Sequence, residues 1–277
     1  MRKFLLLVAF ALLTVPVCAQ RITEKDFKPY FDVQGIEGSF LLYDLKQNRY
    51  TAYDLARCRR GFLPASTFKI PNSIIGLETG VVTDTSQVFK WDGQTRDIAA
   101  WNRDLTLAEA IRVSCVPCYQ QIARQVGAQR YRQYLTKLKF GKMDVHPENV
   151  DQFWLRGSSR ITQFEQLDFL KRLQQNQLPV SRRNTDLTKA ILVLAKGPGW
   201  VLCGKTGWAT PDVRPDGTWN PGARDIGWFV GWLEQGGNAY FFATSVEAPR
   251  PVPGTWAAAR RGITEQILRN EFGLMQP

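Results

Sequence analysis

Histidine is nearly absent: His146 is the single one among 277 residues, and it sits in a Pro- and Asn-containing stretch without metal-ligand spacing. A Ser-His-Asp hydrolase would need it as its base, and nothing around it is arranged for that role. Cysteine is also sparse. Beyond Cys18 near the N-terminus there are Cys58, Cys115, Cys118 and Cys203. Cys115-x-x-Cys118 has the spacing of a redox motif or of half a zinc site, but a second ligand pair is missing, so no metal is expected. Past residue 19 no segment approaches the roughly 20 apolar residues that a membrane-spanning helix needs. Repeats and low-complexity tracts are lacking as well.

The N-terminus is different in kind. Met1-Arg2-Lys3 is basic, Phe4 to Val15 is almost wholly apolar, and Val17-Cys18-Ala19 offers small residues ahead of Gln20. This is the pattern of a secretory signal peptide over residues 1–19, cleaved on export to the periplasm or beyond. Val17 stands where a lipidation signal has a smaller residue, which argues against an anchor at Cys18. An exported compartment permits disulfides, but their connectivity is not readable from sequence. With 44% hydrophobic residues the remaining chain can bury a sizeable core as one domain, 20–277. The formal charge is +11, and loss of Arg2 and Lys3 leaves the chain basic. The charges are scattered, as on a solvated surface. They favour anionic small molecules and give no nucleic-acid patch or stable membrane insertion.

Alternating residues over 38–53, interrupted by Lys46-Gln47-Asn48, predict a β-hairpin. Trp200 to Lys205 predicts a strand, and Ile226 to Leu233 and Tyr240 to Val246 predict two more joined by Gly236-Gly237-Asn238. The middle of the chain reads as helix. Thr106-Leu-Ala-Glu109 and Thr162-Gln-Phe-Glu165 are capping boxes followed by apolar residues at helical spacing. A last helix runs from about Trp256 to Phe272 and stops at Gly273. The expected class is α+β. One antiparallel sheet from about 20–62 and 197–277 is covered by the last helix, and a helical lobe spans about 66–196.

Three short motifs carry the chemistry. In Pro64-Ala65-Ser66-Thr67-Phe68-Lys69, a predicted helix start, the three-residue spacing brings Lys69 onto the face of Ser66. Free backbone N–H groups at such a start suit a developing oxyanion. Ser114-Cys115-Val116 precedes Pro117, which opens a new helix, so Ser114 falls on a joint. Lys205-Thr206-Gly207 places a cation, a hydroxyl and a close-approach glycine at a strand end, a cradle for a carboxylate. Each motif alone is common, but their order, separation and context agree.

Together they resemble the serine β-lactamases and penicillin-binding proteins. Val116 and the Pro-Ala-Ser-Thr-Phe-Lys run are similar to the class D, oxacillinase type. So are Phe89-Lys-Trp-Asp-Gly93, Trp101-Asn-Arg-Asp104, Phe153-Trp154-Leu155 and Gly227-Trp-Phe-Val-Gly-Trp232. The resemblance implies a transpeptidase-like fold and hydrolysis of β-lactam antibiotics through an acyl-enzyme on Ser66. It implies that Lys69 is carboxylated by CO2 to N6-carboxylysine, the general base, with no cofactor beyond CO2 or bicarbonate. An ordinary lysine, with pKa about 10.4, is protonated at neutral pH, so burial must first free the amine. By the same resemblance Trp154 holds the carbamate and Ser114 relays a proton. Lys205 assists electrostatically, and Thr206 with Arg260, rather than Arg261, binds the substrate carboxylate beside Gly207. The backbone N–H groups of Ser66 and Trp208 form the oxyanion hole, and the hydrolytic water sits near Val116 and Leu155.

One departure is Phe140-Gly141-Lys142, where the family has Tyr-Gly-Asn; altered packing near the cleft is expected, with the chemistry retained. Cys115 is expected to point away from the cleft, and the Ala209–Asp225 loop to tune substrate range. The rival readings are a penicillin-binding DD-peptidase and a β-lactam sensor that stays acylated, and either a monomer or a homodimer fits.

Overall fold

The computed structural model describes residues 21–211, 218 and 220–276. The signal-peptide reading of 1–19 lies outside the described residues, as do residues 212–217 and 219 of the Ala209–Asp225 loop. In chain order the strands are β1 (Arg21–Glu24), β2 (Glu37–Asp44), β3 (Arg49–Tyr53), β4 (Val88–Phe89), β5 (Leu105–Thr106), β6 (Val193–Gly197), β7 (Trp200–Ala209), β8 (Arg224–Gln235) and β9 (Asn238–Pro249). The α-helices are α1 (Lys28–Asp32), α2 (Leu55–Cys58), α3 (Lys69–Glu78), α4 (Leu107–Arg112), α5 (Val116–Val126), α6 (Ala128–Leu138), α7 (Gln163–Gln174), α8 (Arg182–Ile191) and α9 (Trp256–Phe272).

Both predicted capping boxes form. At α7 the Glu165 N–H donates to Thr162 Oγ1 (3.1 Å) while the Thr162 N–H donates to Glu165 Oε2 (2.7 Å). The same reciprocal pair joins Thr106 and Glu109 at α4. Gly273 takes the left-handed conformation (φ 62) that ends α9, and Gly236 and Gly237 (φ 59 and 68) make the tight turn from β8 to β9.

Seven strands pair in the order β1-β3-β2-β9-β8-β7-β6. Side chains alternate across this sheet, so neighbours go to opposite layers. Leu41 and Phe241 face the helical layer with Ile74, Tyr119, Leu167 and Trp228, while Leu42 and Phe242 face α1 and α9 with Phe27, Phe31, Trp256 and Ile263. The result is a sheet sandwiched between two helical layers, and among the described residues no helix is long and apolar enough to cross a membrane.

Three expectations need correction. The sheet is mixed, because β1 pairs in parallel with β3. The wholly exposed Arg21-Ile-Thr-Glu24 has no buried face to leave an alternating signature. The sheet portion resumes at Val193, and a small β4–β5 pair lies within the helical stretch. Finally, β7 does not end at Lys205-Thr206-Gly207 but continues to Ala209, with Lys205 opposite Val230 and Gly207 opposite Trp228. The polar residues and glycines there mask the strand pattern because one edge is left open. β6 pairs with β7 only as far as Cys203, and beyond Gly204 that edge has no strand partner among the described residues.

Removing the α7 cap tests the local energetics. Thr162→Ala is expected to lower unfolding stability by about 1 kcal/mol, read as a shift of the urea midpoint at unchanged slope.

Candidate active site

The segment carrying Ser66 is held from several sides. Phe62 and Ile161 exchange backbone hydrogen bonds (3.0 and 2.9 Å). The Trp228 indole donates to the Leu63 carbonyl (2.9 Å), and the Ala65 N–H donates to the Trp154 carbonyl (2.9 Å). Thr67 Oγ1 donates to the Pro64 carbonyl (2.6 Å) and accepts from Gln166 Nε2 (2.8 Å). Ala65 has φ 52, a left-handed conformation that persists only where its surroundings enforce it. A 3-10 turn over Ala65–Phe68 then leads into α3. β7 lies against this turn, and Gly207 makes the approach feasible. A β-carbon there would stand 3.1 Å from Trp228 Cβ, 3.2 Å from Thr67 Cγ2 and 3.3 Å from the Pro64 carbonyl oxygen.

Lys69 Nζ donates to Ser66 Oγ at 2.9 Å. The lysine is wholly buried and Ser66 is only 7% exposed. Burial, with the charge of Lys205 in second place, pushes the Lys69 ammonium well below its ordinary pKa. No carboxylate pairs with it among the described residues, so neutralisation is its one escape from the desolvation penalty. Its surroundings are aromatic. Nζ lies 5.3 Å from the Tyr119 ring centroid, and Phe68 stacks on Trp154 at 5.3 Å. The Trp154 indole Nε1 is buried without a hydrogen-bond partner. A buried donor left unsatisfied costs about 1–3 kcal/mol, so this position calls for an acceptor.

Ser114 lies on the joint between α4 and α5, as its sequence context indicates, with φ 55. The Ser114 N–H donates to Ile111 (3.2 Å) and the Cys115 N–H to Ala110 (2.8 Å). Trp101 Nε1 braces this joint by donating to the Val113 carbonyl (2.9 Å), and Asp104, three residues on, accepts from Lys90 Nζ (2.6 Å) and the Trp91 N–H (2.9 Å), tying the two family-like motifs together. Cys115 and Cys118 are joined by a disulfide, which disposes of the half-zinc reading, while Cys58 and Cys203 are free and buried.

Lys205 is 5% exposed, and its Nζ donates to the Thr206 carbonyl (3.0 Å). Burial, with the charge of Arg260 in second place, brings its pKa down to about 7. Arg260 reaches from α9 beneath β7, where Nη1 donates to the Gly207 carbonyl (2.6 Å). Gly227 makes room for it, since a β-carbon there would come within 2.8 Å of Arg260 Cδ. Arg261 instead pairs with Glu265 (2.5 Å), so of the two arginines Arg260 is the one bonded to the Lys-Thr-Gly strand. Beside Gly204, Lys205 and Thr206 opens a hollow of about 160 Å³, also lined by Ile111, Arg112 and Arg261. A larger one, about 500 Å³, lies elsewhere, around Lys28, Asp54 and Arg57. Val116 and Leu155 are half-buried, and Trp208 is 39% exposed.

Sequence reasoning missed several supports. Asp225 is wholly buried and accepts from Trp208 Nε1 (2.5 Å) and from Arg250 (2.7 and 3.0 Å). A carboxylate just ahead of an apolar strand was its available signal. Behind Lys69, Ser73 Oγ donates to the Lys69 carbonyl (2.8 Å) and lies 2.7 Å from the Tyr119 hydroxyl, while Tyr131 donates to Asn72 (2.7 Å). Phe140 packs on Phe68 and Phe169, and Gly141 (φ 56) abuts the Arg160 carbonyl. The Lys142 side chain is exposed, so the departure from the family pattern does not put a cation into the core.

Residues 27–270 match the penicillin-binding protein transpeptidase domain. The chain is 41% identical over 272 residues to beta-lactamase OXA-10 of Pseudomonas aeruginosa, covering 98% of each. It is 39% identical over 262 residues to beta-lactamase OXA-48 of Klebsiella pneumoniae, covering 94% of each. A class D beta-lactamase structure from Nostoc superposes with a TM-score of 0.82 at 40% identity, covering 90% of this chain and 99% of that one. The chain belongs to the class D β-lactamases. Within this fold Lys69 lies against Ser66, Gly207 of β7 lies against the turn that carries Ser66, and Ile111 and Arg112 of α4 line the hollow beside Lys205 and Thr206.

The depressed Lys205 pKa has a thermodynamic consequence. Between about 7 and the ordinary lysine value, the unfolded chain holds a proton there that the folded protein does not, so this residue makes stability rise with pH across that window. Lys205→Met is expected to remove that part of the rise, measured as urea midpoints of both proteins from pH 7 to pH 10.

Proposed function

We propose that the protein hydrolyses β-lactams through an acyl-enzyme on Ser66, with carboxylated Lys69 as general base for acylation and deacylation. The observation that carries this reading is the wholly buried Lys69 with Nζ 2.9 Å from Ser66 Oγ. A neutral amine in an apolar wall can add CO2, and the unpartnered Trp154 indole N–H suits an anionic oxygen beside it. The carbamate supplies an oxygen base at a position where an amine alone is a poorer match to the task.

The chain's own groups do the rest. Ser66 Oγ attacks the lactam carbonyl and gives up its proton toward Lys69. The Ser66 and Trp208 backbone N–H groups take the oxyanion, each such donor being worth roughly 3 kcal/mol in the transition state. Ser114 passes a proton to the departing lactam nitrogen, and the neighbouring Lys205 tunes that transfer. Thr206 and Arg260, at the open edge beside Gly207, hold the substrate carboxylate. Water entering between Val116 and Leu155 attacks the ester, and the base at Lys69 takes its proton. Export through the 1–19 leader accords with the disulfide in the chain, since oxidising compartments sustain such bonds.

Lys69→Ala is expected to lower kcat for benzylpenicillin at least about 100-fold, in line with loss of a general base. Added bicarbonate should raise wild-type activity, and carbon-13 NMR should show one carbamate signal. Turnover indifferent to bicarbonate, without that signal, overturns the base assignment. Persistent acylation without release of penicilloate moves the protein to the penicillin-binding or sensor class instead. Trp154→Ala should raise the bicarbonate concentration needed for half-maximal activity and prolong the acyl-enzyme, followed by intact-protein mass. Unchanged deacylation in that variant shows the indole contact to be dispensable.

A further inference from the structure

The disulfide begins inside one of the three motifs. Cys115 is the N-cap of α5 and Cys118 its third helical residue, so the bond spans Val116 and Pro117 and directly follows Ser114. Helix starts elsewhere in this chain use an oxygen for that purpose: Thr106, Thr162 and Ser181 each accept the N–H three residues on. At α5 the Cys118 N–H meets Cys115 Sγ (3.1 Å), a weak acceptor. The covalent bond does the holding there.

What it holds is strained. Ser114 sits at φ 55, a conformation that a residue with a side chain keeps only when its neighbours over-determine it. On the α4 side two backbone hydrogen bonds pin the joint. On the α5 side Pro117 fixes only its own φ, the Tyr119 N–H reaches the Cys115 carbonyl at a long 3.5 Å, and the disulfide adds a covalent restraint. A loop this short removes little entropy from the unfolded chain, so the bond acts on local geometry rather than on global stability. Cys115 and Cys118 are 1% and 6% exposed, which places both residues inside the fold.

We propose that the Cys115–Cys118 disulfide is a positioning element for catalysis, fixing the joint that aims Ser114 and Val116 at the Ser66–Lys69 pair. This rests on the acyl-enzyme reading above and goes beyond it, because it makes turnover depend on the oxidation state of the chain. A dithiol reductant opens the bond by giving up two electrons and two protons. It leaves as its cyclic disulfide, and two thiols remain at 115 and 118. Cys58 and Cys203 do not interfere, since burial pushes both thiols up to about 12 and neither is bonded.

The experiment compares oxidised protein, protein reduced with dithiothreitol, and C115A/C118A, which needs no access of reductant to the buried bond. Benzylpenicillin is the probe, with bicarbonate varied. Reduction and the double substitution are expected to lower kcat about tenfold or more, as a displaced catalytic group does, with KM changing less. The melting midpoint should move by less than about 4 °C, and reoxidation should restore wild-type kcat, leaving the double variant unchanged. The proposal is overturned if both altered forms keep the oxidised kcat and bicarbonate response. It is equally overturned if activity falls only in step with unfolding, or if peptide mapping of exported protein finds free thiols at 115 and 118. Absence of Ser66 acylation in every form, oxidised wild type included, is a separate result that removes the acyl-enzyme reading itself.

Discussion

The rest of the site depends on a lysine kept out of water. Lys69 has no solvent, no carboxylate partner among the described residues and a second basic group, Lys205, among its neighbours. An ammonium in that setting is so unfavourable that the group is driven to its neutral form. Much of the surrounding architecture serves this end. Phe68 and Trp154 stack together, Phe140 and Phe153 close in on Phe68, and Tyr119 covers the amine. The burial therefore has a stability cost and a chemical use, which is the usual trade at a site that needs a base near neutrality.

Charge is arranged along a gradient from this point. Lys205 is buried and has a pKa about 7, and Arg260, lowered to about 10, lies beyond it against Gly207. Basic side chains from α3, β7 and α9 thus influence one another in sequence. Burial lowers all three, Arg260 lowers Lys205 further and Lys205 lowers Lys69 further. Glycine at 207 and at 227 makes this arrangement sterically feasible, one by letting β7 reach the nucleophile turn and the other by admitting the Arg260 stem.

Much of this was legible in the residues, for reasons that differ by motif. The Ser66–Lys69 contact follows from helical periodicity and needs only local geometry. The capping boxes at Thr106 and Thr162 are equally local, and both formed. Ser114 could be placed on a joint because Pro117 interrupts the helix. What stayed hidden depends on chain segments far apart in sequence. The parallel β1–β3 pairing, the extension of β7 to Ala209 and the Asp225 contacts with Trp208 and Arg250 arise only once strands meet. The pairing of Cys115 with Cys118 required knowing that the α5 start turns the two sulfurs toward each other. The preference for Arg260 over Arg261 came from the family pattern, and the structure supplies its physical content: one arginine bonds the strand and the other is engaged by Glu265.

Asp225 fastens strand ends together. It joins the end of β7, through Trp208, to the residue that follows β9, through Arg250, and does so from the first turns of β8. The feet of the connection between β7 and β8 are thereby clamped together on the sheet. Lys205, Thr206 and Gly207 lie on the near side of the clamp, each paired in register with β8. The sheet thus carries its own fastening at this end, and the strand positions of the Lys-Thr-Gly motif do not rely on the chain that leaves it.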